Sequence, residues 1–191
     1  MTSIAIIIGS TRPGRKGEEI ARWVQEAASG RPGVTYDIID LAEFPLPLLD
    51  EAMPPAMGQY ANPHTKEWAA EIAKHDGYIF VTPEYNHSTS GALKNAIDYL
   101  YAEWNNKAAG FVSYGSVGGT RAVEHLRLIA AELQMATVRS QVALSLFTDY
   151  KDFVTFAPGP QHNDALSNLF LQIEGWSEAL KPYRDAAASA R

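Results

Sequence analysis

Glu84, Tyr85 and Asn86 end the run Tyr78-Ile-Phe-Val-Thr-Pro-Glu-Tyr-Asn86, in which an apolar strand passes directly into a Pro-led polar loop. Pro83 fixes the backbone at the turn, Tyr85 offers an aromatic face and Asn86 carries both donor and acceptor groups, so the loop suits a flat polar ring. A second loop, Gly9-Ser-Thr-Arg-Pro-Gly-Arg-Lys-Gly17, follows another apolar strand and gathers Arg12, Arg15 and Lys16 among small residues. A phosphate monoester carries about -1.5 to -2 charges near neutral pH, and helix N-terminal amides, hydroxyls and guanidinium groups are its natural partners. Ser10, Arg12 and Arg15 supply side-chain donors there, while Gly14 and Gly17 let the backbone approach closely. A third loop, Tyr114-Gly-Ser-Val-Gly-Gly119, brings amides and Ser116 to a strand end, with Tyr114, Gly115 and Ser116 suited to the pyrimidine edge of a flavin. The three loops together predict a flavin mononucleotide (FMN) site.

Rival chemistries fit less well. Residues 9–16 approach a nucleoside-triphosphate loop, but that motif needs Gly-Lys-Ser/Thr where this chain has Gly14-Arg15-Lys16. The dinucleotide fingerprint fails because position 11 is Thr. His87 and Ser88 are adjacent, so their side chains point apart, and His87 is expected to face solvent or substrate. Hydride transfer to a flavin needs no protein base, so Glu84 is expected to cap a helix or orient its loop. No catalytic side chain is expected; flavin N5 carries the chemistry. The five histidines lack His-Glu-x-x-His spacing, and no metal site is expected. The chain has no cysteine, which excludes thiolate catalysis and disulfides and leaves redox chemistry to a bound cofactor.

The elements that position these loops are legible as apolar periodicity. Strands are expected at 4–8, 34–39, 78–82, 109–113 and 137–144, the last alternating as an edge strand does. Helical stripes follow at Ile20 to Ala27, Leu93 to Leu100, Ala122 to Leu133 and Leu166 to Leu180. Trp23, Trp68, Trp104 and Trp176 fall in helical contexts as core or interface residues, and Ala186 to Arg191 is expected as a frayed tail. Strands alternating with helices imply an α/β fold: a flavodoxin-like three-layer sandwich around a five-stranded parallel sheet of order 2-1-3-4-5. Its crevice falls at the carboxyl ends of strands 1 and 3, where the first two loops lie. Residues 1–191 are expected to form one domain, with the Pro-rich connection 45–63 covering the site or joining a subunit interface.

A formal net charge of -6 argues against nucleic acid as a partner. No basic leader precedes an apolar stretch, and no run of about 18 apolar residues occurs, so no membrane association and a cytoplasmic location are expected.

Gly9-Ser-x-Arg12, Asp76 to Asn86, Gly91-Ala-Leu-Lys-Asn-Ala-Ile-Asp98 and Val112-Ser-Tyr-Gly115 with Gly118-Gly119 together resemble the NADPH-dependent FMN reductase family, over roughly residues 4 to 145. The resemblance implies FMN held by Ser10, Arg12, Arg15 and Gly17 at the phosphate, by Pro83, Glu84, Tyr85 and Asn86 along the ring, and by Tyr114, Gly115 and Ser116 at the far edge. It also implies a homodimer or homotetramer with the cofactor near the subunit interface. Many members have Ser and Asn where this chain has Arg15 and Gly17, which shifts phosphate contacts toward guanidinium and backbone groups. The expected activity is an FMN-dependent NAD(P)H oxidoreductase working by a ping-pong cycle. NADPH or NADH is the donor, and the acceptor is small: a quinone, azo compound, metal oxyanion or free flavin. The alternatives are a flavodoxin-like, non-enzymatic electron carrier, against which Pro83 to Asn86 and the weakly charged third loop speak, and a flavin-responsive regulatory protein.

Overall fold

The apolar run Ile4–Ile8 lies inside β1 (Thr2–Ile8) in the computed structural model, which describes residues 1–189. The chain continues through α1 (Gly17–Ala27), β2 (Val34–Asp40), α2 (Pro63–Ala73), β3 (Gly77–Pro83), α3 (Gly91–Asp98), β4 (Ala108–Gly115), α4 (Thr120–Glu132) and β5 (Ala136–Ser145). A short hairpin, β6 (Tyr150–Lys151) with β7 (Thr155–Phe156), precedes α5 (Gln161–Ser189). The five long strands pair in parallel in the order β2-β1-β3-β4-β5, which is the flavodoxin-like order expected. Each runs one to three residues longer than its apolar core.

Period-two alternation divides the buried strands between two layers. Ile4, Ile6 and Ile8 pack with Ile20 and Val24 of α1 and with Leu166, Leu169 and Ile173 of α5. Ala5 and Ile7 face the other way, toward Trp68 of α2, Leu93 and Ile97 of α3, and Leu126 of α4. That second layer is rich in aromatics: Trp104 is fully buried, donates to the Ile97 carbonyl at 3.2 Å and meets the Tyr78 ring at 4.9 Å. Trp68 is likewise core, donating to the Ala96 carbonyl at 2.8 Å, whereas Trp176 is half exposed. β5 lies at the sheet edge and carries two extra residues, since Ala109 pairs with Thr137 but Phe111 with Gln141.

The two ends of the strands differ in chemistry. At the amino ends, the Asp76 carboxylate accepts from the Ser3 amide (3.0 Å), Lys181 (2.8 Å) and Arg184 (2.5 Å), tying β1 and β3 to α5. Close by, buried Lys107 donates to the Ile72 carbonyl (3.1 Å) and to the Tyr78 hydroxyl (2.8 Å), and burial pulls its pKa down to about 7. The carboxyl ends hold the loops of the site.

Two expectations are corrected. The frayed tail is helical as far as Ser189, because the alanines of this segment are the strongest helix formers; Ala190 and Arg191 lie outside the described residues. Of the two placements expected for the connection 45–63, covering the site is not met, since none of its residues lines the cleft; it lies along α3, where Asn95 donates to the Pro47 carbonyl (2.7 Å) and accepts from the Leu49 amide (3.0 Å), and Tyr99 donates to Asp50 (2.9 Å).

Candidate active site

Strand register brings the three loops to one edge, because Ile8, Val81 and Val112 lie side by side just before them. A cleft of about 250 Å³ opens there, near the small end of ligand pockets. Arg12, Arg15, Pro83, Glu84, Tyr85, Tyr114 and Gly115 line it as a group, all of them residues singled out by sequence. Gly14, Lys16, Leu146 and Phe153 complete its walls. Ser10, Gly17, Asn86 and Ser116 are not on the walls: Ser10 and Gly17 are buried behind the first loop, while Asn86 and Ser116 sit exposed on their turns.

The first loop turns through a bond from the Arg15 amide to the Arg12 carbonyl (3.1 Å) and enters α1 at Gly17. A Cβ at Gly17 would come within 2.9 Å of Ile8 Cγ2 and 3.3 Å of the Tyr114 hydroxyl, so only glycine passes there. The two arginines have separated roles. Arg15 donates to the Ser10 carbonyl (2.8 Å), to Glu18 (2.9 Å) and to Asp40 (2.5 Å), and its guanidinium is spent on shaping the loop. Burial opposes its charge, and Glu18 and Asp40 more than offset this, raising its pKa. Arg12 is exposed and its guanidinium has no partner among the described residues. Lys16, also on the cleft wall, donates to the Val154 carbonyl at 2.9 Å.

The second loop is pinned at both ends. Thr82 and Thr89 hydroxyls meet at 2.8 Å, and Tyr85 and Ser88 exchange amide–carbonyl bonds of 2.9 and 3.2 Å around Asn86 and His87. Both turn residues have positive φ, 48° and 73°, the mirror-image turn usually built from Asn-Gly. Ser10 Oγ lies 2.8 Å from the Tyr85 hydroxyl, joining the first two loops. Glu84 takes the structural role expected of it: its carboxylate accepts from the Arg121 amide (3.1 Å) and Nε (2.6 Å), which caps the first turn of α4. A cation in the first turn of a helix opposes the macrodipole, so Arg121 was the available sign that a carboxylate faces it. His87 is exposed, its ring centroid 6.3 Å from that of His125, whose Nδ1 is 2.9 Å from Ser88 Oγ.

The third loop folds back tightly: Gly119 has φ 69°, and a Cβ there would lie 2.8 Å from both Ser113 Cβ and the Tyr114 amide. Tyr114 runs beneath the first loop, where its hydroxyl is buried with no hydrogen-bond partner among the described residues, and burial drives its pKa up. Among the described residues no cluster of three or more His, Asp or Glu is placed to hold a metal ion.

These residues fit an anionic flavin. The amides that open α1 have no side-chain cap, and Arg12 and Lys16 add positive charge to them, a donor set for phosphate. Pro83, Tyr85 and Leu146 supply apolar walls for a ring. The fold and cleft define a flavodoxin-like α/β protein with its cleft at the carboxyl edge of the sheet, where open sheets of this kind bind their ligands.

The comparisons narrow that class. The profile described as NADPH-dependent FMN reductase matches residues 2–149, and the chain belongs to that family. An NAD(P)H-dependent FMN reductase of a Nectria species, ntnL, is 39% identical over 190 residues, covering 95% of this chain and 90% of its own. A quinone reductase of Pseudomonas putida is 34% identical over 161 residues, 77% and 82% of the two chains. Among solved structures, the Paracoccus denitrificans flavoenzyme FerB, an NAD(P)H:(acceptor) oxidoreductase, superposes with TM-score 0.70 at 18% identity, over 95% of this chain and 98% of its own, which speaks to the fold. The expectation of a flavin-dependent oxidoreductase drawing on NAD(P)H therefore holds. Among the described residues no helix is long and apolar enough to cross a membrane.

Proposed function

We propose that the cleft holds FMN and passes electrons from NAD(P)H to a small acceptor of the quinone type, with residues 1–191 acting as one domain. The observation that carries this is the convergence of a cationic helix-entry loop and an aromatic, Pro-led loop on one cleft. In this reading Arg12, Lys16 and the first amides of α1 hold the phosphate, while Ser10 and Arg15 keep the loop in shape and Gly17 lets it close onto β1. Pro83 and Tyr85 hold the ring, Glu84 fixes the loop to α4, Asn86 forms its turn, and Tyr114, Gly115 and Ser116 border the polar edge. When bound, FMN supplies hydride acceptance and donation at N5; the protein supplies position and electrostatics. Amides near the pyrimidine edge favour the reduced, more anionic cofactor.

The chain works in the cytoplasm as a homodimer or homotetramer. Leu48, Met53 and Met57, exposed along the connection 45–63, offer an apolar contact surface for a second copy. A Leu48→Glu variant is expected to shift light-scattering mass toward the monomer.

The test of the activity is spectroscopic. Purified protein with FMN is titrated anaerobically with NADH and NADPH, and bleaching of the flavin bands followed by recovery on adding a quinone is the expected result. A protein that neither retains FMN nor speeds its reduction contradicts the reading.

A further inference from the structure

Phe147 and Phe153 stand at the mouth of the cleft, 62% and 60% exposed, with their rings edge to face and centroids 5.6 Å apart. Phe153 is itself part of the cleft wall. Folding alone gives no reason for this arrangement, because neither ring is buried. The backbone makes it costlier still. Asp152 and Phe153 form the centre of a turn closed by the Val154 amide on the Lys151 carbonyl (3.0 Å), and both have positive φ, 52° and 58°. Such turns favour Asn-Gly or Asp-Gly, and a bulky aromatic residue seldom adopts this conformation. Strain of this kind persists where the surroundings enforce it.

The surroundings do enforce it. Asp149, buried at the base of the hairpin, accepts from the Ser145 amide (2.8 Å) and the Gly159 amide (3.3 Å) and pairs with His162 Nε2 (2.8 Å), clasping both stems. Lys16 holds the far stem through the Val154 carbonyl (2.9 Å) and lies 4.7 Å above the Tyr150 ring. Phe156 packs edge to face on Trp23 of α1 (5.7 Å). The result is an aromatic surface fixed at the mouth rather than a loose loop.

The hairpin starts beyond residue 149, where the family profile ends. FMN is what the family's description shares, whereas the acceptors printed for this chain's relatives differ between flavin and quinones. An aromatic wall outside the stretch that the family profile describes, on a cleft whose other walls lie inside it, therefore belongs with the acceptor. We propose that Phe153, propped by Phe147, is the stacking wall for a planar aromatic electron acceptor of the quinone class. This rests on the reading of the cleft as a flavin oxidoreductase site. The net reaction is NAD(P)H, a proton and quinone going to NAD(P)⁺ and hydroquinone; Phe153 positions the acceptor and exchanges neither protons nor electrons.

The experiment compares Phe153→Ala, Phe153→Tyr and Phe147→Ala with the parent protein, all loaded with FMN. It measures FMN affinity, the rate of flavin bleaching by NAD(P)H, and steady-state KM for a naphthoquinone and for ferricyanide, a compact acceptor with no ring. Loss of one aromatic contact is expected to raise the naphthoquinone KM by roughly three- to tenfold in Phe153→Ala and less in Phe147→Ala, with Phe153→Tyr near the parent value. FMN affinity, bleaching and the ferricyanide KM stay within about twofold, well below one stacking contact. Equal losses for both acceptors, a fall in FMN affinity, or slower bleaching would assign Phe153 to the fold, the cofactor or the donor and overturn the proposal. Failure of the parent protein to bind FMN or to be bleached by either nicotinamide is a separate result, which removes the functional reading itself.

Discussion

The Ser10 hydroxyl sits 2.8 Å from the Tyr85 hydroxyl, so the loop that follows β1 and the loop that follows β3 are joined side chain to side chain across the edge of the sheet. Ser10 is fully buried, whereas Tyr85 lines the cleft. The bond thus fixes the aromatic wall to the loop proposed to hold phosphate. Removing either hydroxyl, by Ser10→Ala or Tyr85→Phe, is expected to weaken FMN binding. Removing both should cost about 1 kcal/mol less than the sum, because one interaction is lost in either case. A fluorescence titration of the four proteins measures this; strict additivity would show that the two loops bind independently.

Arg12 and Arg15 should separate cleanly. Arg12→Ala removes an exposed, unpartnered guanidinium and is expected to raise the FMN Kd by roughly tenfold, the effect of one charge-assisted contact, with little change in Tm. Arg15→Ala leaves Asp40 and the Ser10 carbonyl without their partner and is expected to cost about 2 kcal/mol of stability. Denaturant unfolding and FMN titration on both variants decide between these roles.

Glu84→Gln keeps the shape of the side chain and removes its charge. The Arg121 ion pair weakens, and about 1 kcal/mol of stability is expected to go with it. Anaerobic bleaching by NAD(P)H should slow only several-fold, as general-base loss would cost about a hundredfold or more. A loss of that larger size would make Glu84 a catalytic group.

Lys107 gives a pH dependence at the opposite edge. Burial lowers its pKa from 10.5 to about 7 in the folded protein, so between these values the unfolded chain binds the extra proton. Stability therefore rises with pH across that window, and below it the cost of a buried charge is fully present. Relative to Lys107→Met, which has nothing to titrate, the parent protein should gain about 2 kcal/mol from about pH 7 to pH 9. Urea unfolding across that range tests this, and parallel profiles for the two proteins would contradict it.

The sheet order and most of the cleft were legible from sequence for one reason: each loop follows an apolar strand whose register carries it to the same edge. Arg12, Pro83, Tyr85 and Tyr114 reached the cleft by that logic alone. Side-chain direction inside a loop was not legible. Ser10 and Arg15 have the right chemistry for phosphate, but Asp40 at the end of β2 and Tyr85 after β3 claim them, and neither claim follows from local sequence. The hairpin escaped notice because Asp152-Phe153 lacks the glycine that marks such a turn. Its strain is borne by Asp149 and Lys16 through contacts that form only in the folded chain.

The opposite placement of the buried charges and the cleft has a practical consequence for engineering. β3 spans seven residues, or about 20 Å, from the Asp76 and Lys107 cluster to Pro83. At an effective dielectric constant of about 20, a unit charge at that distance contributes about 0.8 kcal/mol. Rebuilding the far edge for heat or solvent tolerance can therefore change stability by several times what it changes at the cleft, and the two properties can be optimised in separate rounds.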